Sequence, residues 1–188
     1  AYYSFDDQGI PVEWISHIKN TMVKIAPEFT MKRQIDDYYE KYYLKLFERS
    51  KYLMANNFEK AKELTAWKKT IKDEWDNIEV LNYSFEKPRE NVYHSGHDYK
   101  AEIALNVHKI PKENVGVEFV ITHLNKDGRH EFVASKEFVI VSCKNGKCLY
   151  RTNLVPEKAG TFFYGIRIYP KHKDLPHKQD FYLLRWID

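Results

Sequence analysis

The sequence is poor in the features that announce a function. It has no run of about 18 apolar residues, so no membrane-spanning helix is expected. Glycine and proline number 7 each in 188 residues, too few for a collagen-like or low-complexity chain. Neither sign of charge dominates: 30 Lys/Arg face 27 Asp/Glu, and a net +3 is too mild to argue for nucleic acid. Residues 1–10 are polar and aromatic, without the basic and then apolar stretches of a secretory signal. No GxSxG elbow, P-loop, GxGxxG turn or HExxH helix is present. The only cysteines are Cys143 and Cys148, and a zinc site would need two further ligands at suitable spacing.

What is abundant is aromatic: 14 Tyr, 11 Phe and 4 Trp make 15% of the chain, and hydrophobic residues make 43%. That composition predicts a soluble globular protein of one ordinary domain or two small ones. The pattern changes near residue 77. Before it, spacing is helical. Pro11 suits a first helical turn, and Ile15, Ile18, Met22 and Ile25 form one apolar stripe that Pro27 ends. Thr30 is a good N-cap for a second helix carrying Ile35, Tyr38, Tyr39, Tyr42, Leu46 and Phe47 on one face. Asn56 and Glu59 have capping-box spacing before a third helix with Ala61, Leu64, Trp67, Ile71 and Trp75 inward. Its other face is lysine-rich and reads as solvated.

After residue 77 the pattern alternates. Strands are expected at 78–85, 99–107, 115–124, 130–143, 148–154, 161–169 and 180–186, the fourth breaking near Ala134-Ser135. Seven short strands separated by turn residues predict an immunoglobulin-like antiparallel sandwich. The expected class is therefore α+β, with a helical segment over 1–77 and a β-sandwich over 78–188. Asn145-Gly146 predicts a type I′ hairpin that sets Cys143 opposite Cys148. A disulfide is geometrically conceivable there, but a cytoplasmic setting with two reduced thiols is expected. Residues 1–86 hold 13 Lys/Arg and 15 Asp/Glu, whereas 87–188 hold 17 and 12, with seven of the eight histidines.

Candidate chemistry is sparse. Asp6-Asp7 and Asp36-Asp37 are neighbours pointing to different sides, which reads as surface polarity. His94, His97 and Asp98 around Ser95-Gly96 form either a metal-binding turn or a polar loop. His172 and His177, among Lys171, Lys173 and Lys178 and near Arg167, make a basic loop that is either plain or a receiver of phosphate or an acidic partner. Tyr93, Tyr99, Tyr150, Tyr164, Tyr169, Tyr182 and Trp186 are either core rings or a surface on which sugars stack.

Two stretches carry a family resemblance. One is Gly160-Thr-Phe-Phe-Tyr164-Gly-Ile-Arg167-Ile-Tyr-Pro170-Lys-His172, followed by Leu175 and by Leu184-Arg185-Trp186. The other is Ile110-Pro111-Lys-Glu113-Asn-Val115-Gly-Val117-Glu118. Both resemble the C-terminal extension of the longer bacterial α-glucan (glycogen) phosphorylases, with Asn114 where an acid is more usual. The first part agrees: Trp14-Ile15, Ala26-Pro27, Phe29-Thr30, Arg33 and Asp36-Asp37-Tyr38-Tyr39 are similar to the helices that close the second Rossmann-like domain of that GT-B enzyme.

The resemblance implies a pyridoxal-phosphate enzyme that moves glucosyl units between an α-1,4-glucan end and phosphate, giving glucose 1-phosphate. The cofactor lysine of that family lies in a Gly-Thr-Ser-Gly-Met-Lys segment that this sequence does not contain. No catalytic, cofactor or metal residue is therefore carried over, and no cofactor is expected on this chain itself. It begins at Ala1 without Met, and the expectation is a non-catalytic tail cut from a longer parent. The expected partner is the rest of the parent catalytic domain. A carbohydrate-binding module contacting α-1,4-glucan and an oligomerisation module are alternatives; nucleic acid and membrane are not expected. Tyr164, Arg167, His172 and Trp186 are the candidate glucan or partner contacts. Some of Tyr2, Tyr3, Phe5, Trp14, Tyr38 and Tyr42 are expected to lie exposed where the parent once covered them.

Overall fold

A computed structural model describes residues 1–88, 90 and 92–187. The chain divides into two compact units, Ala1–Lys62 and Glu63–Asp188.

The first unit is helical. Pro11 precedes α1 (Val12–Lys24), and Pro27 sits in the short 3-10 turn Ala26–Phe29 that ends it. Thr30 caps α2 (Met31–Tyr38), its Oγ1 accepting from the Arg33 backbone N–H at 3.2 Å. The helix continues through a wide π-type turn, Tyr39–Tyr43, into α3 (Leu44–Glu74). α3 is interrupted at 55–58, where Asn56, Asn57 and Phe58 take φ of 50°, 55° and 63°. Asparagine tolerates this left-handed backbone and phenylalanine does so only with strain. The helix restarts beside Glu59, whose carboxylate accepts from Asn56 Nδ2 at 3.3 Å. The expected start of a third helix therefore falls at a real break. No residue of 1–62 is buried.

The second unit begins with the last turns of α3, which bury Leu64 and Ile71, and with Trp75 in the following 3-10 turn. Among the described residues, eight strands follow: β1 (Glu79–Phe85), β2 (Tyr99–Asn106), β3 (Val115–Leu124), β4 (His130–Glu137), β5 (Val139–Lys144), β6 (Lys147–Leu154), β7 (Phe163–Pro170) and β8 (Arg185–Ile187). They form two antiparallel sheets, ordered β1-β2-β6-β5 and β4-β3-β7-β8. The class is α+β. One core lies between the sheets. Ala101, Ile103 and Leu105 of β2 and Tyr150 of β6 face it from the first sheet, Val117, Phe119, Ile166 and Ile168 from the second. Each such aliphatic or aromatic side chain contributes roughly 1.5–3 kcal/mol by leaving water.

Three details differ from the sequence reading. The long fourth strand does not break at Ala134-Ser135. It crosses from one sheet to the other at Phe138, whose side chain enters the core while its N–H stays on the Val117 carbonyl at 2.9 Å. Only a bulge, between Phe132 and Ala134, lies near the expected break. The last strand shrinks to Arg185–Ile187, because Lys178–Asp180 forms a 3-10 turn first. Third, the cysteines are not free thiols. Asn145 and Gly146 take φ of 51° and 78° as the I′ turn requires, Cys143 pairs directly with Cys148, and their Sγ atoms are bonded.

Two predictions follow from this core. The bond closes a loop of only a few residues that the turn already holds. Reduction is expected to lower stability by at most about 2 kcal/mol without loss of fold, read as a urea midpoint with and without reductant. The intact mass before reduction is expected to be two hydrogens lighter. Tyr150 presents the second case: its hydroxyl is buried with no hydrogen-bond partner, and burial pushes its phenol up to about 12. The folded value lies above the unfolded one near 10, so the stability held by the neutral phenol is kept below that pH and lost as pH rises toward the folded value. Tyr150→Phe is expected to be neutral or up to about 1 kcal/mol stabilising near pH 7. It should also resist alkaline unfolding better than the parent sequence, measured by urea melts at neutral and alkaline pH.

Candidate functional site

The alternation of β3 turns Val115, Val117 and Phe119 to the core, so Gly116, Glu118, Val120 and Thr122 lie on the sheet's outer face. Glu118 is the unusual member, a carboxylate with 3% of its side chain exposed. Its partners are placed by register. Arg167 stands directly opposite on β7 and donates from Nε at 2.9 Å, with a second guanidinium nitrogen at 2.8 Å. Lys178, from the 3-10 turn, reaches the other oxygen at 2.9 Å. Burial alone would raise the Glu118 pKa. Hydrogen bonds with Ser135, Lys178 and Arg167, helped by the lysine's charge, outweigh that and hold it below the ordinary carboxylate value.

Glycines let rings lie flat on this face. Trp186 pairs with Arg167 across β7 and β8, and its indole rests on Gly165, where a Cβ would meet Cζ3 at 3.0 Å. The Tyr169 ring covers Gly116 in the same way, leaving no room for a side chain. Arg167 lies 5.6 Å from the centroid of the Trp186 ring.

The four residues singled out from sequence do not converge on one spot. Arg167 and Trp186 sit together on the outer face. Tyr164 lies on the opposite face, at one end of the core, where its ring packs on Phe119 at 5.1 Å and Phe85 at 5.0 Å. His172 follows β7; its ring is 4.6 Å from Trp67, and its Nδ1 accepts from the Asp174 N–H at 3.2 Å. With its amide oriented to satisfy both neighbours, Asn114 accepts from Trp67 Nε1 at 3.0 Å and donates to the Lys171 carbonyl at 3.3 Å. An aspartate could do only the first, which gives this departure from the family pattern a physical reason.

Glu118 lies in one of the two family-like stretches, but spacing alone gives it no role and does not pair it with Lys178 or Ser135. The signal was available: an acid inside the apolar run from Val115 to Val120 must be paired if it is buried. His94 and His97 lie in their turn with rings 6.0 Å apart, and no group of three metal-binding side chains occurs among the described residues. Asp36 pairs with Lys32, and Asp37 with Arg33 and Lys41, as surface i,i+4 bridges. Glu118 is fully engaged by its partners, and this arrangement can hold strands but offers no free acid, base or nucleophile.

The helical unit offers a surface of a different kind. Tyr2, Tyr3, Phe5, Trp14, Tyr38 and Tyr42 are all exposed, Tyr3 by 86%. Phe29, Thr30, Arg33, Tyr38 and Tyr42 line a groove of about 400 Å³. No helix among the described residues is long and apolar enough to cross a membrane.

The fold and this site define an α+β module whose polar centre holds strands together. A family model for the glycogen phosphorylase C-terminal domain matches residues 75–188, and the chain belongs to that family. Maltodextrin phosphorylase of Thermococcus litoralis is 28% identical over 182 residues, 92% of this chain but 20% of that protein. Glycogen phosphorylase of Mycobacterium tuberculosis is 25% identical over 81 residues, 43% of this chain and 9% of that protein. Glycogen phosphorylase of Aquifex aeolicus is 42% identical over 45 residues, 24% of this chain and 6% of that protein. The chain thus spans a fifth or less of the length of these relatives.

Glu118→Gln tests the polar centre. Removing the charge leaves Arg167 and Lys178 facing a neutral amide, and the expected loss is about 2 kcal/mol at neutral pH. Because the folded pKa is depressed, the carboxylate's contribution is present above its unfolded pKa and lost as pH falls through the folded value. The variant and the parent sequence should therefore converge in stability in acid, as read by urea melts across pH.

Proposed function

We propose that this chain is the non-catalytic C-terminal region of an α-1,4-glucan phosphorylase, with its helical unit seated on the rest of that enzyme. One observation carries the reading: 62 residues rich in Tyr, Phe and Trp form helices with no buried residue. Helices gain most of their stability by packing an apolar face. These have regular caps and ion pairs but no core, so their face fits the surface of a larger domain. The relative that matches nearly the whole chain, and so this segment, is several times longer and is a maltodextrin phosphorylase. In this reading the unit supplies the helices that close a GT-B catalytic domain.

The second unit is then an accessory, immunoglobulin-like sandwich. Its strand order supports that plan: β1-β2-β6-β5 against β4-β3-β7-β8 follows the four-plus-three arrangement with one added edge strand. Pyridoxal phosphate belongs to the remainder of the parent, since the cofactor-lysine segment has no counterpart here; no catalytic step is assigned to these residues. The proposed setting is cytoplasmic, where phosphate and glucan stores meet, and there the Cys143–Cys148 bond would be open to reduction. The parent gives glucose 1-phosphate from glucan and phosphate.

The reading is tested by reconstitution. Alone, the chain is expected to release no glucose 1-phosphate from maltoheptaose and phosphate. Mixed with the separately expressed N-terminal remainder of its parent, it is expected to co-elute with it and raise phosphorolysis at least about tenfold, a gain of roughly 1.4 kcal/mol in transition-state stabilisation. Two non-interacting monomers, with the remainder fully active by itself, would sink it.

A further inference from the structure

The outer face of the second sheet has two halves. One end is charged, but its charges cancel: Glu118 is held by Arg167 and Lys178, and Glu137 by Lys171. The other end carries the Phe132 and Phe163 rings and, among its described outward-facing residues, no Lys, Arg, Asp or Glu; Trp186 stands at the boundary, opposite Arg167. Register places Phe132 of β4 opposite Thr122 of β3, and Thr122 opposite Phe163 of β7. Paired residues share a face, so all three point outward. Phe132 is 64% exposed, Phe163 42% and Trp186 48%. Around them lie hydrogen-bonding groups, the Thr122 hydroxyl and the His130 ring, which contact each other at 3.0 Å. His130 also packs edge-on against Phe163 at 5.0 Å.

The spacing suits an extended ligand. Phe132 and Phe163 are two strands apart, roughly 10 Å. The Trp186 indole lies over Gly165, two residues along β7 from Phe163, or roughly 7 Å. Gly165 lets the indole lie flat against the sheet, and Thr122 lies between Phe132 and Phe163. We propose that this face is a binding platform for a neutral α-1,4-glucan chain, whose sugar faces stack on Trp186, Phe163 and Phe132. The occupant follows from charge: no Lys, Arg, Asp or Glu among the described residues faces outward beside Phe132 and Phe163, and Arg167 next to Trp186 is already held by Glu118. A phosphorylated sugar or an acidic peptide would find Arg167, the cation beside Trp186, already taken by Glu118. The proposal rests on the phosphorylase reading for the choice of glucan, and it goes further by placing the contact on residues that the sequence did not single out, Phe132 and Phe163.

The test uses the full 188-residue chain without the parent remainder, so it does not depend on reconstitution. Maltoheptaose is titrated and followed by calorimetry, with cellohexaose as the arm of different linkage. Expected is binding with Kd of about 1 mM or tighter, at least about tenfold weaker for cellohexaose. Trp186→Ala and Phe163→Ser are each expected to weaken maltoheptaose binding at least about tenfold. Tyr164→Ala, on the inner face, should change it by less than about twofold. Phe132→Ala, at the most exposed ring, is the variant least able to disturb folding and should weaken binding too; circular dichroism of each variant checks the fold. Three results overturn the proposal: no maltoheptaose binding, binding that Phe132→Ala and Phe163→Ser leave unchanged, or self-association that these substitutions abolish, which would give the face to a second copy of the chain. If binding fails while reconstitution succeeds, the phosphorylase reading stands without this site.

Discussion

A buried carboxylate is costly unless every oxygen is answered, and Glu118 is answered from three directions. Arg167 reaches it across the β3–β7 ladder, Lys178 from the turn before the last strand, and Ser135 from β4. Three segments far apart in sequence are thereby fixed to one atom group. Stacking the Trp186 and Tyr169 rings on glycines shields the same face from water and strengthens the ion pairs beneath. Replacing the trio by apolar residues of similar size could be as stable. What the ions add is register. Glu118 directly opposes Arg167, and a slip of one residue on either strand would point one partner into the core. The second sheet's alignment, and so the placing of its outer rings, rests on this contact.

The two units manage hydrophobic residues in opposite ways. The sandwich hides most of its own between sheets. The helical unit hides none completely, although its capping and i,i+4 bridges are regular. Those bridges lie on the surface and contribute little each, so they do not replace a core. A segment with well-formed ends and no interior has an apolar face left to pack, which the proposed reading places against the remainder of the parent. That single physical deficit explains the aromatic excess better than any site of chemistry.

Much of this was legible. The helical stripe, the Thr30 cap, the break before Glu59, the I′ turn at Asn145-Gly146 and most strands follow from local rules, since each is set by residues a few positions apart. Phe138 was not, because an all-apolar stretch from Phe138 to Val141 gives no alternation to mark where the strand changes sheets. The pairing of Cys143 with Cys148 was seen as register but not as a bond, because a sequence carries no redox potential. The candidate site was legible only in part. Arg167 and Trp186 do meet, but Tyr164 and His172 lie elsewhere, since alternation along β7 puts residues 164 and 167 on opposite faces. Glu118 needed only the reminder that charge inside an apolar run is never idle.

The exposed rings of the two units call for different explanations. On the helices, Tyr, Phe, Trp, Met and Ile are mixed over long faces, with aliphatic side chains filling the gaps between rings. Such mixed surfaces resemble an opened domain core and match another protein surface. On the outer face of the second sheet, the exposed rings among the described residues are Phe132, Phe163 and Trp186, set apart, with the Thr122 hydroxyl between the first two and a glycine beneath the third. Spaced rings cannot interlock with protein side chains as a core does, yet each offers a flat apolar face beside a hydrogen-bonding group. A sugar chain presents flat faces at intervals with hydroxyls at the rim, so it fills the second surface and not the first.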